Sequence, residues 1–583
     1  MHMILLKEKN NTMKTHSISI LKNTSLLFLS IFLLLTSCNE DILEEKPLDF
    51  FSPENAFLTE EGVLQGITAI HQRVRDAYYS FTEFGTMNWR AHGSDLGYVG
   101  ESPLRRPNYI NNYKDISPTR RYVVDTWNMG YRIIQMTNVL IDKIEELDPE
   151  VFAAGQAGKN LYLAEARFFR AFQYRYLVST YGDIPLLTEP VESARADFVR
   201  DPVSAVHAQM IEDFAFAAEH LPDPGNEAAP GRITKGPALH YLGETYLEID
   251  DPQSAVDVLT QVIEGFDYDL MTQRFGNHLG NDIFGSGDPY YDLFGFENHN
   301  LPENTEAMWV IQVEPLIQGG GQISSAYIFG PRYFDLGLTP DGYESILGTV
   351  FDGRHTGYSD TLSRGTANIR GTSLVYYTIW QGEWDTDMRN AKHNIKRDYF
   401  FDNPESAYHN QKIDFSLYDP PRPNLLEDTT KILYPMHTKF LDPLNYFLQP
   451  NRAGGGITHK DWYALRFAET LLLRAEAYLG VGNPDLAAAD VNRVRARAQA
   501  SPVSASDIDI DYILDERARE LYGEEWRLVT LRRVGKLLER TLKYNDNPIN
   551  PGAGMEPHHV LWPIPQEQID LNVDAEFPQN PGY

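Results

Sequence analysis

Arg466-Phe-Ala-Glu-Thr-Leu-Leu-Leu-Arg-Ala-Glu-Ala-Tyr478 opens the stretch, running to Lys536, whose helical grammar decides the fold. Over Tyr463–Leu479 the residues Leu465, Ala468, Leu472, Ala475 and Leu479 recur at alternating steps of three and four, which predicts one apolar face of an α-helix. Gly480, Gly482 and Pro484 end it. A second helix aligns Ala487, Val491, Val494 and Ala498, keeps Arg493, Arg495 and Arg497 mostly off that stripe, and packs back on the first. A third, from about Tyr512, turns Leu514, Ala518, Leu521, Tyr522, Trp526 and Val529 inward. Its outside is laced with Glu516–Arg519, Arg517–Glu520 and Glu524–Arg527 pairs at i,i+3.

In the first two of these helices Ala475 and Tyr478 are followed by Ala487, twelve residues beyond Ala475, and then by Val491 and Val494. The same phase occurs earlier, with Leu242, Gly243 and Tyr246 followed by Ala255, Leu259 and Val262, again twelve residues from Gly243 to Ala255. This is tetratricopeptide spacing: a small residue lets two helices approach and large ones fill the space around it. The expected fold class is mainly α, a tetratricopeptide-like helical scaffold with a large loop-rich, mixed irregular region packed on it.

Arg466 to Tyr478, Asn492-Arg-Val-Arg-Ala-Arg497 and Glu516-Arg-Ala-Arg-Glu-Leu-Tyr-Gly-Glu-Glu-Trp-Arg527 together resemble the C-terminal signature of the SusD/RagB family. The tail segments Leu561-Trp-Pro-Ile-Pro565 and Gln579-Asn-Pro-Gly-Tyr583 extend that resemblance, as do Ala166-Arg-Phe-Phe-Arg-Ala-Phe172 and Tyr181-Gly-Asp-Ile-Pro185. Thr530, where the family usually has Asp, and Val573, where it usually has Pro, depart from it at scaffold positions. The resemblance implies a lipoprotein on the outer face of the outer membrane that binds nutrients, mostly glycans, over a TonB-dependent transporter. It implies no cofactor.

The 583-residue chain has 42% hydrophobic and 23% charged residues, an ordinary globular balance. Residues 1–37 carry four lysines and one glutamate, so their removal takes the net charge from −31 to −34. Nucleic acid is a poor partner for such a surface. The lysines precede an apolar run, Leu26 to Leu35 broken by Ser30, that reads as a signal peptide and is too short to span a bilayer comfortably. Leu35-Thr-Ser-Cys38 resembles a bacterial lipobox, making Cys38, the one cysteine, the expected site of acylation; the alternative is a free thiol. Acyl chains there would anchor the protein to the membrane. Asn39-Glu-Asp41 resembles an export signal for the outer face, or is a solvated linker. The expected organisation is a signal peptide over 1–37, a lipidated tether over 38–51 and a helical part over 52–266. A loop-rich ligand-binding part follows over 267–458, then a C-terminal helical part with its tail over 459–583.

Ser52-Pro-Glu-Asn is read as capping a helix with Leu64, Ile67, Ile70, Val74 and Tyr78 on one stripe. Further helices are expected over Arg121–Leu147, Lys159–Tyr181, Pro202–Leu221 and Pro237–Phe266, the last broken at Asp250-Asp-Pro252. Asn138 falls within the apolar face of its helix and needs hydrogen-bond partners, whose lack would cost about 1–3 kcal/mol. Between 267 and 458 the helical period disappears, but the aromatic content argues for folded loops.

No clustered Cys or His-Glu-x-x-His is present, and His558-His559 reads as scaffold, so no metal site is expected. Asp507, Asp509 and Asp511 imitate a calcium loop but have Tyr512 at the turn glycine and Ala518 at the bidentate acid, which favours helix capping. No nucleophile elbow, phosphate loop or dinucleotide fingerprint appears, and no catalytic residue is assigned. Ligand contacts are expected from aromatic rings mixed with polar groups, because sugar C–H faces stack on Trp and Tyr. The candidates are Trp380 and Trp384, then Asp95, Trp89 and Tyr98 in one loop, and Tyr290 and Tyr291; for each aromatic the alternative is a ring buried in the loop core. A peptide-binding receptor remains an alternative, since an aromatic cleft serves both ligands. So does a glycoside hydrolase, which needs only two suitably spaced carboxylates among 82 acidic residues.

Cys38→Ser is expected to leave an uncleaved or soluble species. Cell fractionation with a palmitate label checks this, and normal labelling with membrane retention of the variant would remove the anchor.

Overall fold

The computed structural model describes residues 53–80, 91–100, 110–279, 283–315, 317–351, 353–419, 428–444 and 458–583. Cys38 and Trp89 lie outside the described residues, as do the expected signal peptide and tether. The chain divides into two units, Met1–Ala56 and Phe57–Tyr583. Within the first, the described residues form one short helix, Pro53–Ala56.

In the second unit α1 (Glu60–Tyr78) starts where Thr59 Oγ1 accepts from Gly62 N. Its inward face is Val63, Ile67, Ile70, Val74 and Tyr78, whereas Leu64, read as inward, is exposed. Next come α2 (Arg121–Glu146), α3 (Gln156–Tyr181), α4 (Val203–His220), α5 (Lys235–Glu248) and α6 (Pro252–Gly265). Gly182, at φ 74°, ends α3 in a backbone conformation that side chains other than glycine rarely adopt.

Helix α3 is buried on nearly all sides, so its charges must be satisfied inside. Arg170 donates to both oxygens of Asp213 at 2.8 Å, and Arg175 donates to Glu244 at 2.8 and 2.9 Å. Asn138 finds the partners its position required: it donates to the Leu187 and Glu189 carbonyls and accepts from Arg170.

The helical row resumes with α7 (Phe467–Gly480), α8 (Pro484–Arg497), α9 (Ile510–Leu521), α10 (Arg527–Arg533) and α11 (Leu537–Tyr544). From α2 to α8 each helix packs on the next, α6 on α7 included. Ala255 and Leu259 from α6 share a small core with Leu473 and Ala477 from α7. The repeat spacing has the expected cause: a Cβ on Gly243 would lie 2.7 Å from Leu259 Cγ, so only glycine permits this approach of α5 to α6. Asp509 caps α9, its Oδ1 accepting from Tyr512 N at 2.8 Å. Trp526 is buried against Tyr78, Phe172 and Tyr176.

Three expectations from the opening stretch need correction. Residues Trp462–Arg466 are not the start of a helix but strand β2, antiparallel to β1 (Ala307–Ile311). The long third helix is broken between α9 and α10, where Gly523 takes φ 76° and Glu524 and Glu525 turn into the interior. The charges read as an outer lace are mostly inside: of the three pairs only Glu516–Arg519 forms, at 2.8 Å, and Arg495 and Arg497 are buried.

These buried charges form a network. Glu520 takes Arg466 at 2.8 Å, Arg389 at 3.1 Å and Arg497, while Glu306 takes Arg497 at 2.9 Å and Arg466. Glu524 takes Arg466 at 2.6 Å and Lys439 at 2.7 Å, and Glu516 takes Arg389 and Arg495 at 2.8 Å. Beside it Arg517 joins Glu469 to Glu525, and Arg527 joins Glu525 to Asp95. Glu306, Asp387, Arg389 and Lys439 come from the irregular region, which the network fastens to the helices. That region holds its own aromatic core around Tyr333, Tyr399 and Phe401, with a few two-residue ladders such as Ile395–Lys396 on Met436–His437.

Glu165, Glu244 and Glu516 set an acid limit. Burial alone would raise these carboxyls, but His71 and Arg232, Arg175 and Arg533, and Arg389, Arg519 and Arg495 respectively outweigh it and hold each at about 2, against an ordinary 4.5. The unfolded chain takes up these protons first, so the stabilisation is complete above about pH 4.5 and is lost as pH falls toward about 2. Each gap is worth on the order of 3 kcal/mol. Circular dichroism during an acid titration is expected to show unfolding inside that window; full structure retained at its lower end would contradict the stabilising role of these three carboxylates.

Candidate ligand-binding cleft

Several of the sequence-derived candidates are structural. Trp380 is 0% exposed and its Nε1 donates to the Val375 carbonyl at 2.8 Å, so it offers no face to a ligand. The aperiodic stretch that makes the ring a candidate packs on α9, where Arg519 Nε donates to the Ile379 carbonyl, and Trp380 takes the alternative place in the loop core. Asp95 is fully buried between Arg527 Nη2 at 2.6 Å and Arg540 Nε at 2.7 Å. Burial would raise its carboxyl, and the two guanidinium groups instead hold it below the ordinary range. It is therefore a pin between the 91–100 loop and helices α10 and α11, not a sugar contact.

Tyr98 is buried under the Arg370 guanidinium, 5.1 Å from its ring, in a short ladder with Arg370 and Gly371. Burial, opposed by Arg370, pushes its hydroxyl up to about 12. Tyr290 is buried, donating to the Glu520 carbonyl at 3.0 Å and accepting from Lys439 at 3.2 Å. Tyr291 is buried edge-on to His393. Asp288 caps the short helix Pro289–Leu293 and holds His393 and Asn394.

Trp384 stands apart from these. It is 44% exposed, with its carbonyl accepting from Asn390 Nδ2 at 2.7 Å. The Arg397 guanidinium lies 4.6 Å from its ring centroid, and Tyr377, equally exposed at 44%, lies 6.4 Å away with its plane within 8° of parallel. Trp384 lines a cleft of about 710 Å³ together with Phe284, Met388, Lys396, Arg397 and Phe400. Phe400 is 47% exposed. The volume lies in the range of small-ligand pockets.

The cleft is held on scaffold. Gln499, just past α8, lines it, and Met388 N donates to the Ala498 carbonyl at 2.9 Å. Asp387, at its wall, is locked to Arg389 at 2.6 Å. Two exposed rings, fixed polar groups and a concave wall can hold a ring-shaped ligand with apolar faces. Two other clefts offer less. In one, of about 600 Å³, the rings of Phe266, Tyr268 and Trp309 are half or fully buried, and the other, of about 490 Å³, has no aromatic lining.

Sequence reading singled out Trp384 and missed Phe400, Arg397 and Lys396. A signal existed at Tyr399-Phe400-Phe401, where period-two alternation buries the outer two rings and turns the middle one out.

Comparison with known proteins agrees with this architecture. Residues 367–583, which include the whole of the Trp384–Phe400 segment, match a model described as the SusD family; residues 99–247 match one described as starch-binding, associating with outer membrane. The chain belongs to the SusD/RagB family. Two SusD-like proteins of Formosa agariphila resemble this family member over nearly their whole length. One is 23% identical, covering 92% of this chain and 94% of the relative; the other is 25% identical, covering 97% and 100%. Among solved structures, a laminarin binding SusD-like protein covers 90% of the chain and 100% of its own at 21% identity and TM-score 0.64. Surface glycan-binding protein A from Bacteroides thetaiotaomicron, in complex with laminarihexaose, covers 90% and 99% at 18% identity and TM-score 0.63. These structures establish the SusD fold for the chain.

Trp380→Ala should cost about 3–5 kcal/mol by leaving a cavity, whereas Trp384→Ala should cost about 1 kcal/mol or less. Thermal or denaturant melts decide; equal losses would mean that Trp384 is also core.

Proposed function

We infer that this chain is a non-catalytic glycan-binding lipoprotein of the outer membrane, anchored through Cys38, that holds oligosaccharide in the Trp384–Phe400 cleft for a TonB-dependent transporter. The observation that carries the cleft assignment is the pair of exposed rings, Trp384 and Phe400, on one concave wall of a SusD-family chain whose other candidate rings among the described residues, Trp380, Tyr98, Tyr290 and Tyr291, are buried. Sugar rings present apolar C–H faces, and a ring packed against the Arg397 guanidinium, on backbone that Asn390 holds, loses little freedom on stacking. Membership in the family supports the membrane location and the delivery role. The solved relative with laminarihexaose supports an oligosaccharide as the class of ligand.

Calorimetry of the mature chain against a panel of polysaccharides and peptides, with product analysis after long incubation, tests the reading. Glycan binding without cleavage is expected, and Trp384→Ala is expected to weaken it about tenfold or more, the effect of about 1.4 kcal/mol of lost contact. Binding confined to peptides, or reducing ends released by the pure protein, would overturn it.

A further inference from the structure

The cleft carries charge that its surroundings leave uncompensated. Elsewhere in this protein, Arg389, Arg466 and Arg497 are each tied to two or more carboxylates. The cleft cations differ. Among the described residues, Lys392, Lys396 and Arg397 make no ion pair.

Arg397 is held by neutral acceptors instead. Its Nη1 donates to the Asn390 carbonyl at 3.3 Å, and its Nη2 to Asn390 Oδ1 at 2.6 Å and the Tyr376 carbonyl at 3.1 Å. Its Nε is buried with no partner among the described residues. The position is fixed while the net charge stays available. Burial lowers Arg397, and nearby Tyr377, Tyr376 and Asp398 only partly oppose it, whereas the facing carboxylates raise Arg389 well above the ordinary guanidinium value despite its own burial.

Lys396 Nζ lies 5.8 Å from the ring centroids of Tyr399 and Phe400, placing its ammonium beside one of the two exposed rings. Lys392 is exposed at the rim. The acids of the same wall are mostly engaged: Asp387 by Arg389, and Asp398 by Lys412 at 2.5 Å. Asp385 is the lining carboxylate without a cation partner among the described residues. Three unpaired cations against one acid, beside the exposed rings, stand out in a chain of net charge −31.

We propose that the cleft selects an acidic glycan, one whose carboxylate or sulfate group meets Arg397, Lys396 and Lys392 while a sugar face stacks on Trp384 or Phe400. This rests on the cleft being the glycan site. The Arg397 guanidinium suits such oxyanions as a permanent charge held in place by its neutral acceptors, with one Nη1 proton left over, and the ammonium groups add charge without demanding one geometry. A neutral glycan would leave the half-buried Arg397 charge as it is now, gaining only the stacking.

The test uses matched polymers on the mature chain by calorimetry: polygalacturonate and its carboxyl-reduced form, a sulfated galactan and its desulfated form, and laminarin. Tighter binding of at least one acidic polymer than of its neutral counterpart, by about tenfold or more, is expected, and which pair shows it separates carboxylate from sulfate. Raising sodium chloride from about 50 to about 500 mM should erode that preference, since screening acts on the ionic part. Arg397→Gln should remove most of it. Because Arg397 also packs on Trp384, Lys392→Gln, at an exposed position, is the second variant and should lower acidic binding severalfold with an unchanged melting curve. Equal binding of both members of each pair, abolished by Trp384→Ala, overturns this inference and leaves the glycan cleft standing. The same holds if laminarin binds through Trp384 and neither acidic polymer binds. Absence of any binding that responds to Trp384→Ala removes the cleft itself and the inference with it.

Discussion

The architecture depends on the meeting of Glu520 with Arg466, Arg497 and Arg389 inside the protein. Burying an ion is expensive, and a buried pair gives little net stability over an apolar replacement, but stripping one partner away costs about 3–5 kcal/mol. Such a network therefore acts mainly on register. If the irregular region docked one residue out of place, Glu306, Asp387, Arg389 and Lys439 would be stranded without water or counter-charge. Helix α9 and the segment after it supply Glu516, Glu520 and Glu524 from one short stretch, so a single element collects partners from chain far away in sequence.

The cleft inherits its rigidity from that arrangement. Arg389 sits between Trp384 and Phe400 in sequence and is tied to Asp387, Glu516 and Glu520, while Arg495 reaches Glu383, the residue before Trp384, at 3.0 Å. The exposed rings thus stand on loops clamped at several points to α8 and α9. Binding then requires little ordering of the protein, and the loss of freedom falls mainly on the ligand.

The helical scaffold was legible in sequence because it obeys a local rule. The 3.6-residue period, the small residues at Gly243 and Ala475 and the stops at Gly182 and Pro484 all act within a few residues of themselves. Strand β2 was not legible as a strand, since Leu465 continued the helical stripe and only pairing with Trp309 overrides it. The inward turn of the charges on α9 was hidden for the same reason: i,i+3 spacing fits a solvent-facing lace equally well, and the true partners of Glu516 and Glu520, Arg389 and Arg466, lie far off. Asp95 is the sharpest case, as its partner Arg527 is 432 residues away. In the irregular region exposure is set by tertiary packing, so of the neighbouring rings Trp380 and Trp384 one became core and the other surface, and no local pattern separates them.

The chain leaves the helical row at Gly265, the end of α6, and rejoins it at Phe467, the start of α7, and these two helices pack against each other. The irregular region is thus a closed excursion with neighbouring roots. Closing a loop between adjacent points costs only about 0.6 kcal/mol more for each doubling of its length. Such a layout tolerates wholesale exchange or growth of the excursion, provided the few charges that dock it on α9 are kept, so that one unaltered frame can carry many different binding faces.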